Sequence, residues 1–275
     1  MKLGLAVAPE KASPLAFVVF RDKLEIILEK ASRLGYDGVE LALASSEEID
    51  IKELKELLNV FKLELPVIST GRVFAECNVS LSHPKDEIRN KAIEIMKSLI
   101  DVASEFNSKV NIGRVRGMVN GGEREAVKKR FIDTVSLLLG YAKEKRVELI
   151  IEPINRYETD FINTIEEGLE IIKQFNKLGF DNIGLMPDLF HMNIEEKNIE
   201  ESLKMANNRI SYIHFADSNR YAPGDGHLDF ISIINTLKQI NYNGYITLEI
   251  LPKPDPEIAA SRGIKFLKGI MGNQR

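Results

Sequence analysis

Cysteine is almost missing from this chain: Cys77 is the only one in 275 residues. An internal disulfide is therefore impossible, and a cysteine-based metal cluster is not expected. A reducing cytoplasm is the compartment this composition suits. Long apolar runs are missing as well. The stretch Leu3–Ala8 is broken by Pro9 and Glu10, and Leu15–Phe20 is too short to cross a bilayer, so neither a signal peptide nor a membrane span is expected. No long run of single-sign charge occurs, and the formal net charge is −4, which argues against a general nucleic-acid binder. Neither GxGxxG nor GxxxxGK[ST] follows the first apolar run, which removes the best support for a dinucleotide fold or a P-loop. Histidine is scarce: His83, His191, His214 and His227 are all there are.

The chain does contain enough apolar residues, 44%, to bury a large core. Short apolar runs alternate with longer segments of helical period. The expected strands are Leu3–Ala8, Gly38–Leu43, Leu65–Ser69, Lys109–Ile112, Val147–Glu152, Ile183–Pro187, Ile210–Phe215 and Tyr245–Ile250. The expected helices are Asp22–Leu34, Glu47–Phe61, Asp86–Phe106, Glu123–Lys145, Thr164–Leu178, Ile199–Asn207, Asp229–Ile240 and Pro256–Ile270. Left-handed stop signals recur where helices hand over to strands, at Leu34-Gly35, Leu178-Gly179 and Ile240-Asn241. Eight strand–helix units without a flexible linker fit one parallel (β/α)8 TIM barrel spanning residues 1–275.

In such a barrel the chemistry stands at the C-terminal ends of the strands. The fifth expected strand stops at Glu152-Pro153, the sixth is followed by Asp188, the seventh carries His214 and the eighth carries Glu249. A buried carboxylate is costly unless paired, hydrogen-bonded or metal-bound, and two glutamates interrupt apolar strands at corresponding points. Three carboxylates and one imidazole form a hard, oxygen-rich donor set suited to one divalent ion, Mn²⁺ first, with Co²⁺, Mg²⁺ or Zn²⁺ as alternatives. Taken singly, Asp188 also reads as a turn or helix cap, and His214 as a satisfied core histidine.

The segments Ile151-Glu152-Pro153-Ile154-Asn155-Arg156-Tyr157-Glu158, Pro187-Asp188-Leu189-Phe190-His191-Met192, His214-Phe215-Ala216-Asp217-Ser218-Asn219-Arg220, Pro223-Gly224-Asp225-Gly226-His227-Leu228-Asp229-Phe230 and Leu248-Glu249 resemble the signature blocks of the D-tagatose 3-epimerase (ketose 3-epimerase) family, within the xylose isomerase and apurinic endonuclease group of barrels. The resemblance runs through the second half of the chain; the first half matches mainly in its strand–helix rhythm. It implies a metal held by Glu152, Asp188, His214 and Glu249, substrate oxygens held by Glu158, His191 and Arg220, and a homodimer or homotetramer. It also implies epimerisation at the carbon beside a ketone, with Glu152 and Glu249 as the two proton carriers. Outside the resemblance, His191 reads as a loop histidine and Arg220 as a surface partner of Asp217 or Asp225.

One stretch departs from the pattern. The third expected strand is followed by Gly71-Arg72, and the fourth by Gly113-Arg114-Val115-Arg116, where the resemblance implies apolar or aromatic groups gripping a neutral sugar. Arginine suits carboxylate or phosphate recognition, so Arg114 or Arg116 is expected to hold the carboxylate of a keto sugar acid, unless both are solvated loop charges. The competing functions are a hydroxypyruvate or other aldose–ketose isomerase, an inosose dehydratase, an apurinic-site endonuclease needing three zinc ions, and a sugar sensor without catalysis. His227, in its glycine-rich turn, is the residue that would supply the endonuclease with a further ligand, and His83 reads as a loop residue.

Overall fold

The computed structural model of the chain describes residues 1–13 and 17–272. In chain order the first half runs β1 (Lys2–Pro9), β2 (Phe20–Asp22), α1 (Leu24–Leu34), β3 (Gly38–Ala42), α2 (Ile51–Phe61), β4 (Glu64–Ser69), α3 (Gly71–Cys77), α4 (Asp86–Ser104) and β5 (Lys109–Ile112). The second half continues with α5 (Arg124–Glu144), β6 (Leu149–Ile151), α6 (Ile165–Lys177), β7 (Ile183–Leu185), α7 (Leu189–Glu195), α8 (Ile199–Ala206), β8 (Ile213–Phe215), α9 (Phe230–Gln239), β9 (Tyr245–Leu248) and α10 (Pro256–Gly272).

All strand pairings are parallel, in the order β7-β6-β5-β4-β3-β1-β9-β8, with β2 added beside β1. The two ends of that order meet. Leu185 bridges Ile210 and Asp188 bridges His214, with Ser211 N–H donating to the Leu185 carbonyl at 2.9 Å and His214 N–H to the Pro187 carbonyl at 2.9 Å. The sheet therefore closes into the expected eight-stranded barrel, β2 being extra. All three foreseen stops are left-handed: Gly35 at φ 86°, Gly179 at φ 91° and Asn241 at φ 57°.

Several boundaries differ from the sequence reading. Asp22 belongs to β2, and α1 begins two residues later. The helix expected over Glu47–Phe61 divides into a 3₁₀ turn, Ser46–Glu48, and α2, because Asp50 takes the N-cap and accepts from Glu53 N–H at 2.9 Å. Helices α3 and α7, seven residues each, had no counterpart in the periodicity. The apolar run Leu15–Phe20 lies partly outside the described residues. Among the described residues no helix is long and apolar enough to cross a membrane.

Side chains alternate between the two sides of each strand, and the alternation decides what reaches the barrel axis. On β6, Leu149 and Ile151 join the large core shared with the helices, while Ile150 belongs to a separate cluster with Val67, Met186, Tyr212 and Tyr245. That small cluster is the apolar plug inside the barrel. Two residues further along the same parity stand Glu152, Asp188, His214 and, two steps on from Thr247, Glu249. The plug thus forms the floor of a polar layer at the C-terminal mouth.

Candidate metal centre and active-site cavity

His214 is the hub of that layer. It is fully buried in β8, and its Nδ1 lies 3.5 Å from Glu152 Oε1, 3.5 Å from Asp188 Oδ2 and 3.4 Å from Glu249 Oε2. The four donor atoms all lie within 4.8 Å of one another. Although buried, Nδ1 has no hydrogen-bond partner. On the other side of the ring, Nε2 lies 2.7 Å from Glu40 Oε2, and Glu40 in β3 is itself 1% exposed. A proton on Nε2 shared with Glu40 leaves the Nδ1 lone pair facing three carboxylates, the arrangement in which a histidine presents itself to a cation. The residues present therefore fit a divalent metal with mainly oxygen ligands.

Asp188 meets both of its expected readings. Its Oδ1 caps α7, accepting from Phe190 N–H at 2.8 Å and His191 N–H at 3.4 Å, while Oδ2 faces the cluster. Capping fixes the rotamer that delivers the second oxygen. Arg220 does not pair with Asp217 or Asp225. Its guanidinium donates to both oxygens of Asp188, at 2.8 and 2.7 Å, and to Glu249, and it is sandwiched between Phe17 and Phe190, 4.6 and 4.9 Å from the ring centres. Asp217 instead accepts from the N–H groups of Ser218, Gly224 and Leu228, shaping the loop that carries Arg220.

His191 is in α7, not in a loop, and is 4% exposed. Its Nδ1 accepts from Asn155 Nδ2 at 2.7 Å, and the same amide donates to Glu158 at 3.0 Å. The Asn155 carbonyl oxygen accepts from Tyr157 N–H at 3.0 Å, which fixes the amide's orientation. The imidazole proton is therefore on Nε2, which lies 3.9 Å from Glu152 Oε1. Burial drives the His191 pKa down to about 4, so the ring is neutral near pH 7 and presents an N–H.

The surrounding charges separate the two glutamates. Burial raises the Glu152 carboxyl to about 7, with the Glu249 charge adding to it against the pull of His214. Glu249 is also raised by burial, but His214 and Arg220 together outweigh this and hold it below the usual carboxylate range. His214, which burial alone would lower, is held well above its ordinary value by Glu40 and Glu249. The cluster therefore favours positive charge at its centre, either a proton on Nδ1 or a cation that takes that proton's place and meets the Nδ1 lone pair.

A cavity of about 330 Å³ opens over this layer and is lined by Glu152, Glu249, Glu158, His191, Arg220 and Arg114, among others. Arg116, expected as an alternative to Arg114, does not reach it. Its side chain is 0% exposed and donates to the carbonyls of Gly113 at 2.9 Å, Ile162 at 3.0 Å, Phe161 at 3.4 Å and Glu152. It is a brace between the β5 and β6 loops, and its burial lowers its pKa to about 10. Arg72 lines the cavity but is matched by Glu48 and Glu76. His227 bonds Ser218 in an exposed turn, and His83 accepts from Lys85 N–H in another loop, so neither joins the cluster.

Three contributors were not singled out from the sequence. Glu40 backs His214. Asn111 donates to Glu152 Oε2 at 3.4 Å while its own oxygen accepts from Thr70 N–H at 2.7 Å. Asn155 orients His191 and Glu158. For Glu40 a signal existed: it is an acidic residue at an inward position of an otherwise apolar strand, Gly38-Val39-Glu40-Leu41-Ala42.

Comparison with known proteins agrees with this geometry. A family model described as a xylose isomerase-like TIM barrel matches residues 28–270. An L-ribulose 3-epimerase of Methylomonas sp. (strain DH-1) is 32% identical over 224 residues, which cover 80% of this chain and 75% of that protein. The structure of a Methylomonas D-allulose 3-epimerase in complex with D-allulose superposes with a TM-score of 0.81 at 27% identity, covering 98% of this chain and 96% of that one. That of an Escherichia coli 3-keto-D-glucoside 4-epimerase gives a TM-score of 0.82 at 21% identity, covering 98% and 99%, a likeness of fold. Barrel closure, the inward donor set at the strand ends and a match over most of the length together make the chain a member of the xylose isomerase-like TIM-barrel family.

Proposed function

We propose that this protein is a metal-dependent sugar epimerase that inverts the carbon next to a ketone. The observation that carries the reading is the convergence of Glu152, Asp188 and Glu249 on the unpartnered Nδ1 of His214, beneath a cavity. Glu152, Asp188, His214 and Glu249 would hold one divalent ion, and the oxygen-rich donor set favours Mn²⁺. When bound, such an ion supplies Lewis-acid polarisation of the ketone and the neighbouring hydroxyl, which acidifies the C–H between them.

The chain's own groups then carry the proton. Glu152 extends from the end of β6 and Glu249 from the end of β9, on different staves of the barrel, which suits attack on one carbon from two sides. One glutamate removes the proton from the carbon, the electron pair moves into the carbonyl to give an enediolate, and the other glutamate returns a proton to the opposite face. Glu158, the Nε2–H of His191 and Arg220 are assigned to the substrate oxygens. An isomerase moving a proton between adjacent carbons needs only one face and leaves the second glutamate as a metal ligand with no proton to carry. The endonuclease reading loses support because, among the described residues, this is the only cluster with metal-ligand spacing, and His227 and His83 stand outside it.

The test is proton NMR in D₂O with Mn²⁺-loaded protein and a panel of ketoses and keto sugar acids. Deuterium entering the carbon beside the ketone, together with formation of the epimer, is the expected result. Absence of exchange with every member, or aldose as the only product, would overturn the assignment.

A further inference from the structure

Arg114 is the one guanidinium lining the cavity that, among the described residues, has no carboxylate within ion-pair distance. The other two are neutralised: Arg220 by Asp188 and Glu249, Arg72 by Glu48 and Glu76. Arg114 lies directly after β5, where Gly113 passes so close to Glu152 that a Cβ there would sit 3.0 Å from its Oε2. The loop bearing Arg114 therefore borders the cavity that the two proposed proton carriers also line. Its Nε is buried and has no hydrogen-bond partner, while the guanidinium is held over the Phe74 ring, 5.1 Å from the ring centre. A planar cation held by stacking, with an unsatisfied buried N–H and no counter-charge, is prepared for a ligand that brings its own negative charge.

We propose that the substrate carries an oxyanion on the end of its chain away from the ketone, and that Arg114 binds it. This rests on the epimerase reading above and adds the substrate class to it. The shared chemistry is a terminal carboxylate, as in a ketohexonate, or a terminal phosphate ester; both match the guanidinium fork, which can donate two parallel N–H bonds. A neutral ketose would enter the same cavity and leave Arg114 without a partner. At about 330 Å³ the cavity lies at the small end of ligand sites, ~300–1,000 Å³, in keeping with a single monosaccharide.

The test compares kcat/KM, read as deuterium exchange with Mn²⁺-loaded enzyme, for a ketohexose, the ketohexonate with a carboxylate in place of its terminal hydroxymethyl, and its terminal phosphate ester. The expected result is a preference of about 10- to 100-fold for one of the charged compounds, the range expected for charge-assisted hydrogen bonds. Which of the two is preferred assigns the carboxylate or the phosphate. In Arg114→Met that ratio collapses toward one, through KM more than kcat, and Arg114→Lys keeps part of it. A wild-type preference for the uncharged ketose, or a ratio unmoved in Arg114→Met, overturns the proposal. A binding arm separates this failure from failure of the epimerase reading. Calorimetric titration with gluconate and with inorganic phosphate requires no turnover, and tighter binding to wild type than to Arg114→Met supports the anion site even if no ketose is epimerised. Equal binding to both proteins counts against the site whatever the enzyme turns over.

Discussion

Glu40 Oε2 lies 2.7 Å from the Nε2 of His214, so a carboxylate in β3 sets the tautomer of an imidazole in β8 from across the barrel axis. Both side chains are essentially free of solvent. Orientation of the ring, and the basicity of the nitrogen turned toward the cluster, both follow from that contact.

Glu40→Gln keeps the shape and removes the charge. Metal affinity should fall by ~10- to 100-fold, the usual consequence of losing such a partner. Titration of the metal-free protein with Mn²⁺, followed calorimetrically, checks this; unchanged affinity would mean that Glu40 only fills space.

Glu152→Gln and Glu249→Gln should each lower turnover by at least ~100-fold, the lower range for loss of a general acid or base. Deuterium exchange into substrate gives the sharper reading. If either variant epimerises at the wild-type rate, two-base inversion is wrong.

Chelation should reduce activity to background and lower the melting temperature, because three carboxylates then face one another with only Arg220 and His214 to offset them. Restoring Mn²⁺ should recover both. A melting temperature indifferent to chelator and to added Mn²⁺ would argue against a cation in the cluster.

Arg116→Met should cost about 3–5 kcal/mol of stability, since it strips a charged donor from several buried carbonyls at once. Arg114→Met should cost about 1 kcal/mol or less, the loss of one stacking contact. Urea denaturation of the two variants side by side decides it, and equal losses would mean that the two arginines do not differ in this way.

Asn155→Leu should leave the fold intact and release His191 from its Nε2–H tautomer. The signature is a change in the ¹⁵N shifts of that ring, accompanied by a rise in KM. Wild-type shifts in the variant would show that something else fixes the proton.

The rhythm of strands and helices was readable because each barrel unit repeats the same demands: a doubly buried run, a helical stripe, a left-handed stop. Glu152, Asp188, His214 and Glu249 were readable because charge at the end of a buried strand needs an explanation. Glu40 obeys the same logic but stands mid-strand, where only its parity connects it with His214, three staves away around the barrel. Helices α3 and α7 are too short for periodicity to register, which is why the sequence alone places His191 in a loop. Arg114 and Arg116 look equivalent as letters. They differ because a 3₁₀ turn over Arg114–Arg116 sends neighbours two apart in different directions, one to the cavity and one into the wall.

The barrel's last joint has a consequence of its own. Between β7 and β8 the ladder is reduced to two isolated bridges, and one of them pairs Asp188 with His214. An ion gripped by both residues would act as a clasp on the weakest stave joint of the cylinder. Amide exchange near that joint should then slow when the clasp is fastened, which would tie the integrity of the wall to the loading of the site.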